Sequence, residues 1–218
     1  MSEQNAKTLD VYEHTAKQYL ANSIEHDNLD PAKAKRKRAK LDEFIQHSFA
    51  PLPKAARIFE IGSADGENAK YLESLGYEVT ASDVATDFLA TLDERGLNYI
   101  KFNVLKDKFP KQYHGIFCWR VFVHFTSDDV LATLRKTYAA LKPGGRFIFN
   151  VINREVKDVD QEWVDFPGEY HMGVERYYSY FREQDVRDLI AQTDYRIVDF
   201  HLEGGDAGNK WLVFVLEK

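Results

Sequence analysis

The chain has 218 residues, 44% of them hydrophobic, which is enough to form a single domain over residues 1–218 with a sizeable core. Its formal net charge of −6 argues against a nucleic acid partner, and its single cysteine, Cys118, excludes an internal disulfide. No run of residues is long and apolar enough to span a membrane, and the first residues lack the features of a signal peptide, so we expect a cytoplasmic protein.

Two helices are predicted near the N-terminus, over residues 8–22 and 31–49. The second begins with Pro31, which suits the first turn of a helix. We expect this segment, residues 1–50, to form a helical lid on the domain that follows.

Strands and helices then alternate along the chain. The predicted strands cover residues 57–61, 77–82, 98–102, 115–119 and 146–152, and the helices between them cover residues 66–75, 86–95 and 127–142. This alternation predicts right-handed crossovers and a parallel α/β sheet with helices on both faces.

The C-terminal part breaks this alternation. A helix at residues 183–193 precedes two strands, residues 195–202 and 210–217, whose short glycine-rich connection requires them to be antiparallel. The segment before them, residues 153–182, is rich in aromatic residues and is predicted to be a cap at the carboxyl edge of the sheet.

The first strand runs into a glycine turn. Gly62, Ala64 and Gly66 follow it, and Asp83 ends the next predicted strand. Bare backbone in such a turn can approach a ligand closely, and a carboxylate at the next strand can accept from ribose hydroxyls. The pattern predicts a nucleoside site.

The acidic residues of the turn bear on which nucleoside binds. A dinucleotide fingerprint has three glycines that admit a pyrophosphate, whereas this turn carries Asp65 and Glu67, which would repel one. An NAD-dependent oxidoreductase is therefore the disfavoured alternative.

Three motifs in order carry a family resemblance: Glu60 with the glycine turn, Asp83, and the later Leu-Lys-Pro-Gly-Gly-Arg of residues 141–146. Together they resemble the class I S-adenosylmethionine-dependent methyltransferases over roughly residues 40–218. The resemblance implies a Rossmann-like seven-stranded sheet of order 3-2-1-4-5-7-6 with an antiparallel last strand. It also implies S-adenosylmethionine as cofactor and methyl transfer to an oxygen or nitrogen of a small metabolite. A non-catalytic module that binds the same cofactor is the second alternative.

The resemblance places the cofactor at the carboxyl ends of the first four strands. The turn backbone would face its amino acid part, Glu60 would orient the turn or the ammonium group, and Asp83 would hold the ribose, unless Asp83 only caps the following helix. Asn103 and Val104 would bind the adenine. The predicted cofactor residues are Glu60, Gly62, Ser63, Ala64, Gly66, Asp83, Val84, Asn103, Val104, Trp119, Arg120, Tyr19 and Arg38.

Two of these residues, Arg38 and Arg120, have an alternative interpretation that does not involve the cofactor. Arg38 shares the apolar stripe of its predicted helix and could pair with the cofactor carboxylate, or it could belong to a solvated basic face. Arg120 ends the fourth strand and could equally be a surface charge.

His124 lies directly after the fourth strand, where related methyltransferases place residues that face the transferred methyl group. An imidazole there can act as a base at neutral pH, or it can pack between Phe122 and Phe125 and only order the loop. No metal site is predicted, because His171 and His201 have no ligand spacing around them.

The acceptor pocket is predicted from the first helix and the cap. Tyr12 shares a helix face with Tyr19, and period-two alternation puts Arg176, Tyr178 and Tyr180 on one face of a cap strand. The alternative is that these aromatic residues only form the core of their own segments. The predicted acceptor-binding residues are Tyr12, Tyr170, Arg176, Tyr178 and Tyr180. The sequence does not define an oligomeric state.

Overall fold

The computed structural model describes residues 1–166, 171–205 and 208–218. Its first two elements are the helices α1, Glu3–Leu29, and α2, Pro31–Phe49. The predicted start of α1 at residue 8 was too late, because the hydroxyl of Ser2 caps the helix and accepts from the N–H of Asn5 at 3.2 Å.

The remaining elements follow the predicted alternation and add two strands. They are β1 Arg57–Ile61, α3 Glu67–Ser74, β2 Glu78–Asp83, α4 Thr86–Glu94, β3 Tyr99–Lys101, β4 Tyr113–Cys118, α5 Ser127–Ala140, β5 Leu141–Asn153, β6 Gln161–Val164, β7 Arg176–Phe181, α6 Glu183–Ile190, β8 Arg196–Gly205 and β9 Gly208–Glu217. Short 3₁₀ turns occur at Phe122–His124 and Arg154–Val156.

The main sheet runs β3-β2-β1-β4-β5-β9-β8. The first five strands are parallel, and β9 lies antiparallel between β5 and β8. Since β8 and β9 occupy the sixth and seventh positions expected of the C-terminal strands, the predicted fold class and strand order are confirmed.

The cap segment contributes strands that the seven-stranded prediction did not include. The strand β7 pairs with the last two residues of β5, through Ile152 with Tyr180 and Asn153 with Phe181, and β6 pairs antiparallel with β7. In the ranges that the structure describes, the sheet thus has nine strands, and the cap is joined to it beyond the carboxyl end of β4.

One boundary differs for a clear reason. The helix predicted over residues 127–142 ends at Ala140, and Leu141 already pairs with Tyr113 of β4. Pro143 and the two following glycines disfavour a helix, so the chain enters β5 five residues before the predicted start at residue 146.

The core has two parts, one on each face of the sheet. Neighbouring strand residues alternate between them, as Ile116 and Phe147 pack on one face and Phe117 and Ile148 on the other. The helices α5 and α6 cover the first face, and α2, α3 and α4 cover the second. This packing fixes the carboxyl ends of β1 to β4 at one edge. Within the described ranges, no helix is long and apolar enough to cross a membrane.

Candidate functional site

A cavity of about 550 Å³ lies at the carboxyl ends of β1 to β4, between that edge and the helices α1 and α2. Thirteen of the predicted site residues line it: Gly62, Ser63, Ala64, Asp83, Val84, Asn103, Val104, Trp119, Arg120, Tyr19, Arg38, Tyr12 and His124. The predicted residues Glu60, Gly66, Arg176, Tyr178 and Tyr180 are described but do not belong to the lining. Tyr170 lies outside the described residues.

The turn after β1 is built from alternating left-handed residues. Gly62, Ala64 and Gly66 have φ of +71°, +44° and +77°. A side chain at Gly62 would also place its Cβ 2.4 Å from Cγ2 of Val121, and one at Gly66 would collide with Leu97 at 2.6 Å. Glycine is therefore required at both ends of the turn, by its conformation and by the space around it.

Hydrogen bonds tie this turn to β2. The N–H of Ser63 donates to the carbonyl of Ser82 at 2.8 Å, and the N–H of Ser82 donates to the Ser63 hydroxyl at 3.1 Å. The Ser82 hydroxyl donates to the carbonyl of Glu60 at 2.7 Å. These bonds hold the turn in one conformation before any ligand arrives.

Glu60 lies under the turn and is 1% exposed. Burial raises the pKa of its carboxyl to about 7, although hydrogen bonds from Ser63 and Asn68 favour the charged form. Within the described part of the chain, its Oε2 has no hydrogen-bond partner. The group is thus poised between its neutral and charged states near neutral pH.

Asp83 holds the turn and faces the cavity. One carboxylate oxygen accepts from the N–H of Ala64 at 3.0 Å, and the other accepts from Val84 at 2.7 Å and Ala85 at 3.3 Å. Burial raises the pKa of this carboxyl, and the backbone bonds oppose the rise. Asp83 thus braces two loops, and the oxygen that accepts only from Ala64 keeps a lone pair for a ligand hydroxyl.

The side chain of Asn103, predicted to bind the adenine amine, forms a local turn after β3. Its Oδ1 accepts from the N–H of Leu105 at 2.9 Å, and the backbone N–H of Asn103 donates to the Asp107 carboxylate at 2.7 Å. The residue still lines the cavity beside Val104.

The end of β4 projects Trp119 and Arg120 to the cavity. Trp119 stacks on Phe117 with ring centroids 5.6 Å apart. Arg120 has φ of +59°, a conformation that costs a non-glycine residue energy, and its N–H donates to Oδ1 of Asn150 at 2.7 Å. Its guanidinium lies 5.4 Å from the ring centroid of Trp211.

Arg38 reaches the cavity from α2, as predicted from its position on the apolar stripe. Its guanidinium donates to the Asp42 carboxylate through Nε at 2.6 Å and to Oδ1 of Asn68 through Nη1 at 2.7 Å. It is therefore a braced cation in the wall and not a freely moving surface charge.

His124 is buried in a chain of hydrogen bonds. Its Nδ1 lies 2.7 Å from the carbonyl oxygen of Tyr177, and its Nε2 lies 2.9 Å from the hydroxyl of Tyr12. A carbonyl can only accept, so Nδ1 carries the proton and Nε2 presents a lone pair to Tyr12. Nη1 of Arg176 donates to the same hydroxyl at 3.1 Å.

Burial lowers the pKa of His124 to about 3, and the nearby guanidinium of Arg176 adds to the effect. The imidazole is thus neutral throughout the physiological range. It offers a proton acceptor at neutral pH, but a weaker one than the ordinary histidine pKa assumed from the sequence.

The cap strand supports this cluster from behind the wall. Arg176 lies between the rings of Tyr12 and Tyr178, 5.6 and 5.5 Å from their centroids, and Tyr178 also contacts the His124 ring. The hydroxyl of Tyr180 donates to Glu162 at 2.5 Å. The cap side chains thus form their own core, and Arg176 and Tyr178 contact Tyr12 and His124, which line the cavity.

Several lining residues were missed from the sequence. They include Asn5, Leu9, Leu20, Ile24, Asn68, Phe88, Phe102, Phe125, Lys210 and Trp211. Phe88 follows Asp83 by five residues and could have been inferred as an apolar cover, whereas the first-helix residues and Trp211 carry no local signal. Among the residues described, no group of three or more His, Cys, Asp or Glu side chains is placed to hold a metal ion.

Residues 33–199 match the family model of the methyltransferase domain. The chain belongs to the methyltransferase domain family. Curated relatives of this methyltransferase domain include a ubiquinone biosynthesis O-methyltransferase from Idiomarina loihiensis, 28% identical over 46% of the chain and 44% of the relative. Another, with the same name, comes from Burkholderia ambifaria and is 24% identical over 66% of each. The chain thus spans between about half and two thirds of the length of these relatives.

A solved structure shares the fold of this methyltransferase domain. It is an S-adenosylmethionine-dependent methyltransferase from Clostridium acetobutylicum, with a TM-score of 0.69 at 15% identity. The match covers 91% of this chain and 98% of that one.

Proposed function

We propose that this methyltransferase domain moves a methyl group from S-adenosylmethionine to an oxygen or nitrogen atom of a small metabolite. The observation that carries the proposal is the rigid left-handed turn of residues 62–66, which is hydrogen-bonded to the Asp83 carboxylate in the wall of one cavity. The names of the curated relatives support oxygen as the acceptor atom. We further propose a cytoplasmic location, with no nucleic acid or membrane partner.

The wall residues fit the cofactor by their chemistry. The glycine turn leaves backbone exposed for close approach, Asp83 keeps acceptor capacity for ribose hydroxyls, and Arg38 supplies a braced cation for a carboxylate. Val84, Asn103, Val104, Tyr19, Trp119 and Arg120 complete the proposed set, with Ser63 and Gly66 shaping the turn and Glu60 facing it from below. When bound, the cofactor supplies a methyl group activated by its sulfonium charge.

The protein's own residues have to hold the acceptor atom in line with the transferred methyl group and, where needed, to take its proton. His124 is the proposed base because its Nε2 lone pair is directed to the cavity side, where Tyr12 now occupies it. An acceptor hydroxyl has to replace the Tyr12 hydroxyl there. Tyr12 and the cap residues Tyr170, Arg176, Tyr178 and Tyr180 remain the proposed acceptor side of the site.

The alternatives differ in measurable ways. Asp65 and Glu67 line the cavity beside Gly62, which disfavours a pyrophosphate and so an NAD-dependent enzyme. A non-catalytic module would bind the cofactor without turning it over.

Calorimetric titration tests the proposal. We expect S-adenosylhomocysteine to bind and NAD to bind weakly or not at all; the reverse result would end the proposal. Asp83→Asn should weaken the binding of S-adenosylhomocysteine by about 10- to 100-fold, since a charged acceptor for a ligand hydroxyl is lost. Asp65→Asn is the matched control on the same wall and should change the affinity less than about threefold.

A further inference from the structure

One polar side chain in the cavity wall is incompletely bonded. Asn5, in the first turn of α1, lines the cavity and is 1% exposed. Its Nδ2 donates to the carbonyl of His124 at 3.4 Å, and among the residues that the structure describes its Oδ1 has no hydrogen-bond partner. Because that carbonyl can only accept, the amide nitrogen must face it, and the unpaired atom is the oxygen.

The position of Asn5 is fixed by bonds on both sides. Three residues before it, the Ser2 hydroxyl donates to the Asp129 carboxylate at 2.5 Å and accepts from the N–H of Asn5 at 3.2 Å. Three residues after it, the Thr8 hydroxyl accepts from the N–H of Tyr177 at 3.1 Å. The amide oxygen therefore cannot turn to solvent unless the start of α1 moves.

The surroundings of Asn5 suit a flat, apolar group that carries one donor. Phe102, Val104 and Phe125 line the same cavity as Asn5, and Nδ2 of Asn103 lies 3.6 Å from Sδ of Met1, which places the end of β3 beside the start of α1. The Asn103 oxygen already accepts from Leu105. A base held between these residues would find a second amide oxygen, that of Asn5, still unpaired.

We propose that Oδ1 of Asn5 accepts a hydrogen bond from the exocyclic amine of the cofactor's adenine and so selects adenine over hypoxanthine. The inference rests on the proposed function. A buried acceptor without a partner is unfavourable, and a ligand N–H removes that cost. Hypoxanthine has an oxygen in place of the amine, so two acceptors would face each other.

Two ligands that differ only at this atom provide the test: S-adenosylhomocysteine and S-inosylhomocysteine, titrated by calorimetry against the full chain. We expect the wild type to prefer the adenosyl ligand by at least about tenfold, and Asn5→Ala to remove most of that preference by weakening only this ligand. Asn103→Ala is measured beside it, and Asn22→Ala, on the same helix but outside the cavity lining, is the matched control and should retain the preference.

The outcomes separate this inference from the proposed function. If the wild type binds S-adenosylhomocysteine but Asn5→Ala keeps the preference, or weakens both ligands equally, Asn5 only supports α1 and the inference is wrong. The same conclusion follows if Asn103→Ala, and not Asn5→Ala, abolishes the preference. If the wild type binds neither ligand, the proposed function itself fails. Thermal denaturation of each variant identifies any loss of folding, and a wild type that binds S-adenosylhomocysteine and S-inosylhomocysteine with equal affinity would overturn the inference without any variant.

Discussion

Ala64 occupies a left-handed conformation, φ +44°, at the centre of the glycine turn. That conformation costs an L-residue with a Cβ about 1–2 kcal/mol, whereas glycine adopts it freely. The turn therefore carries local strain between Gly62 and Gly66, next to the Asp83 oxygen that receives the Ala64 N–H.

Replacing Ala64 with glycine should relieve this strain. We expect Ala64→Gly to raise the free energy of unfolding by up to about 1 kcal/mol, because the greater freedom of glycine in the unfolded chain offsets part of the gain. Urea denaturation measures the change. Ala90→Gly is the control, since Ala90 lies exposed inside α4 and the same substitution there should lower the free energy of unfolding. Equal losses in both variants would contradict the strain.

His124→Gln separates base catalysis from positioning. If Nε2 takes the acceptor proton, turnover should fall by roughly 10² to 10⁴ while S-adenosylhomocysteine affinity stays within a few-fold, because the amide can keep one hydrogen bond. The assay needs an acceptor, which mass spectrometry of co-purified small molecules can identify. Turnover within a few-fold of wild type would leave His124 a positioning residue for Tyr12.

The helix α1 forms one wall of the cavity and is attached at several points along its length. Besides the bonds near Asn5, the Glu13 carboxylate accepts from the backbone and hydroxyl of Thr86 at 3.1 and 2.5 Å. Tyr19 packs edge-on against Phe88 at 5.7 Å. These contacts lie around the cavity, so a ligand that fills it should stabilise the whole helix against opening.

Hydrogen exchange can measure this coupling. We expect saturating S-adenosylhomocysteine to slow amide exchange in the middle of α1 by at least about tenfold, because opening of the lid would then require ligand loss. The matched control is α6, which packs on the sheet face opposite to α2, α3 and α4 and lies outside the cavity lining. Equal protection of both helices would indicate global stabilisation, and no protection of α1 would contradict its role as a lid.

The cap strand β7 has a structural consequence for His124. The Tyr177 carbonyl fixes the tautomer of the imidazole, and the Ser179 hydroxyl donates to the carbonyl of Phe125 at 2.7 Å. The cap thus holds the loop after β4 as well as closing the edge of the sheet. Its aromatic side chains form a small hydrophobic cluster, and one of them, Tyr178, also contacts the His124 ring.

Stability of the domain as a whole should show two opposing pH effects. The folded pKa of Glu60 is raised to about 7, so the native state keeps a proton that the unfolded chain releases. Glu60 therefore stabilises the folded state at low pH, and this stabilisation is lost as the pH rises through 7. The folded pKa of His124, lowered to about 3, has the reverse effect, because the unfolded imidazole gains a proton below its ordinary pKa.

Between about pH 4.5 and 6.5 the two slopes, each about 1.4 kcal/mol per pH unit, should nearly cancel. Glu60→Gln should therefore make the domain lose stability as pH falls through this range, whereas His124→Gln should make it gain stability. Urea unfolding at pH 6.5 and 5.0 measures both. Parallel pH profiles for the two variants would contradict the assigned burial of these groups.

Much of the cavity wall at the ends of β1 and β2 could be predicted because its signals are local. Gly62 and Gly66 are required by the conformation of a single turn, and Asp83 ends a strand whose apolar run is visible in the sequence. Period-two and helical patterns predicted the alternation of strands and helices and so the parallel sheet, whereas the strand order was implied by the family resemblance. The period-two pattern also predicted a cap strand with Arg176, Tyr178 and Tyr180 on one face, but not that it joins the sheet, since β7 pairs with β5 through only two residue pairs.

The remainder of the site depends on contacts between distant parts of the chain. Tyr12 meets His124 and Arg176, which are 112 and 164 residues away, and Asn5 bonds to the backbone 119 residues away. Burial then lowers the histidine pKa to about 3 and raises that of Glu60 to about 7. A local pattern defines a residue's backbone conformation and the side of the helix or strand on which it lies. The chemistry of the residue depends on its hydrogen-bond partners and on the exclusion of water, and both arise only when α1 and the cap pack against the sheet.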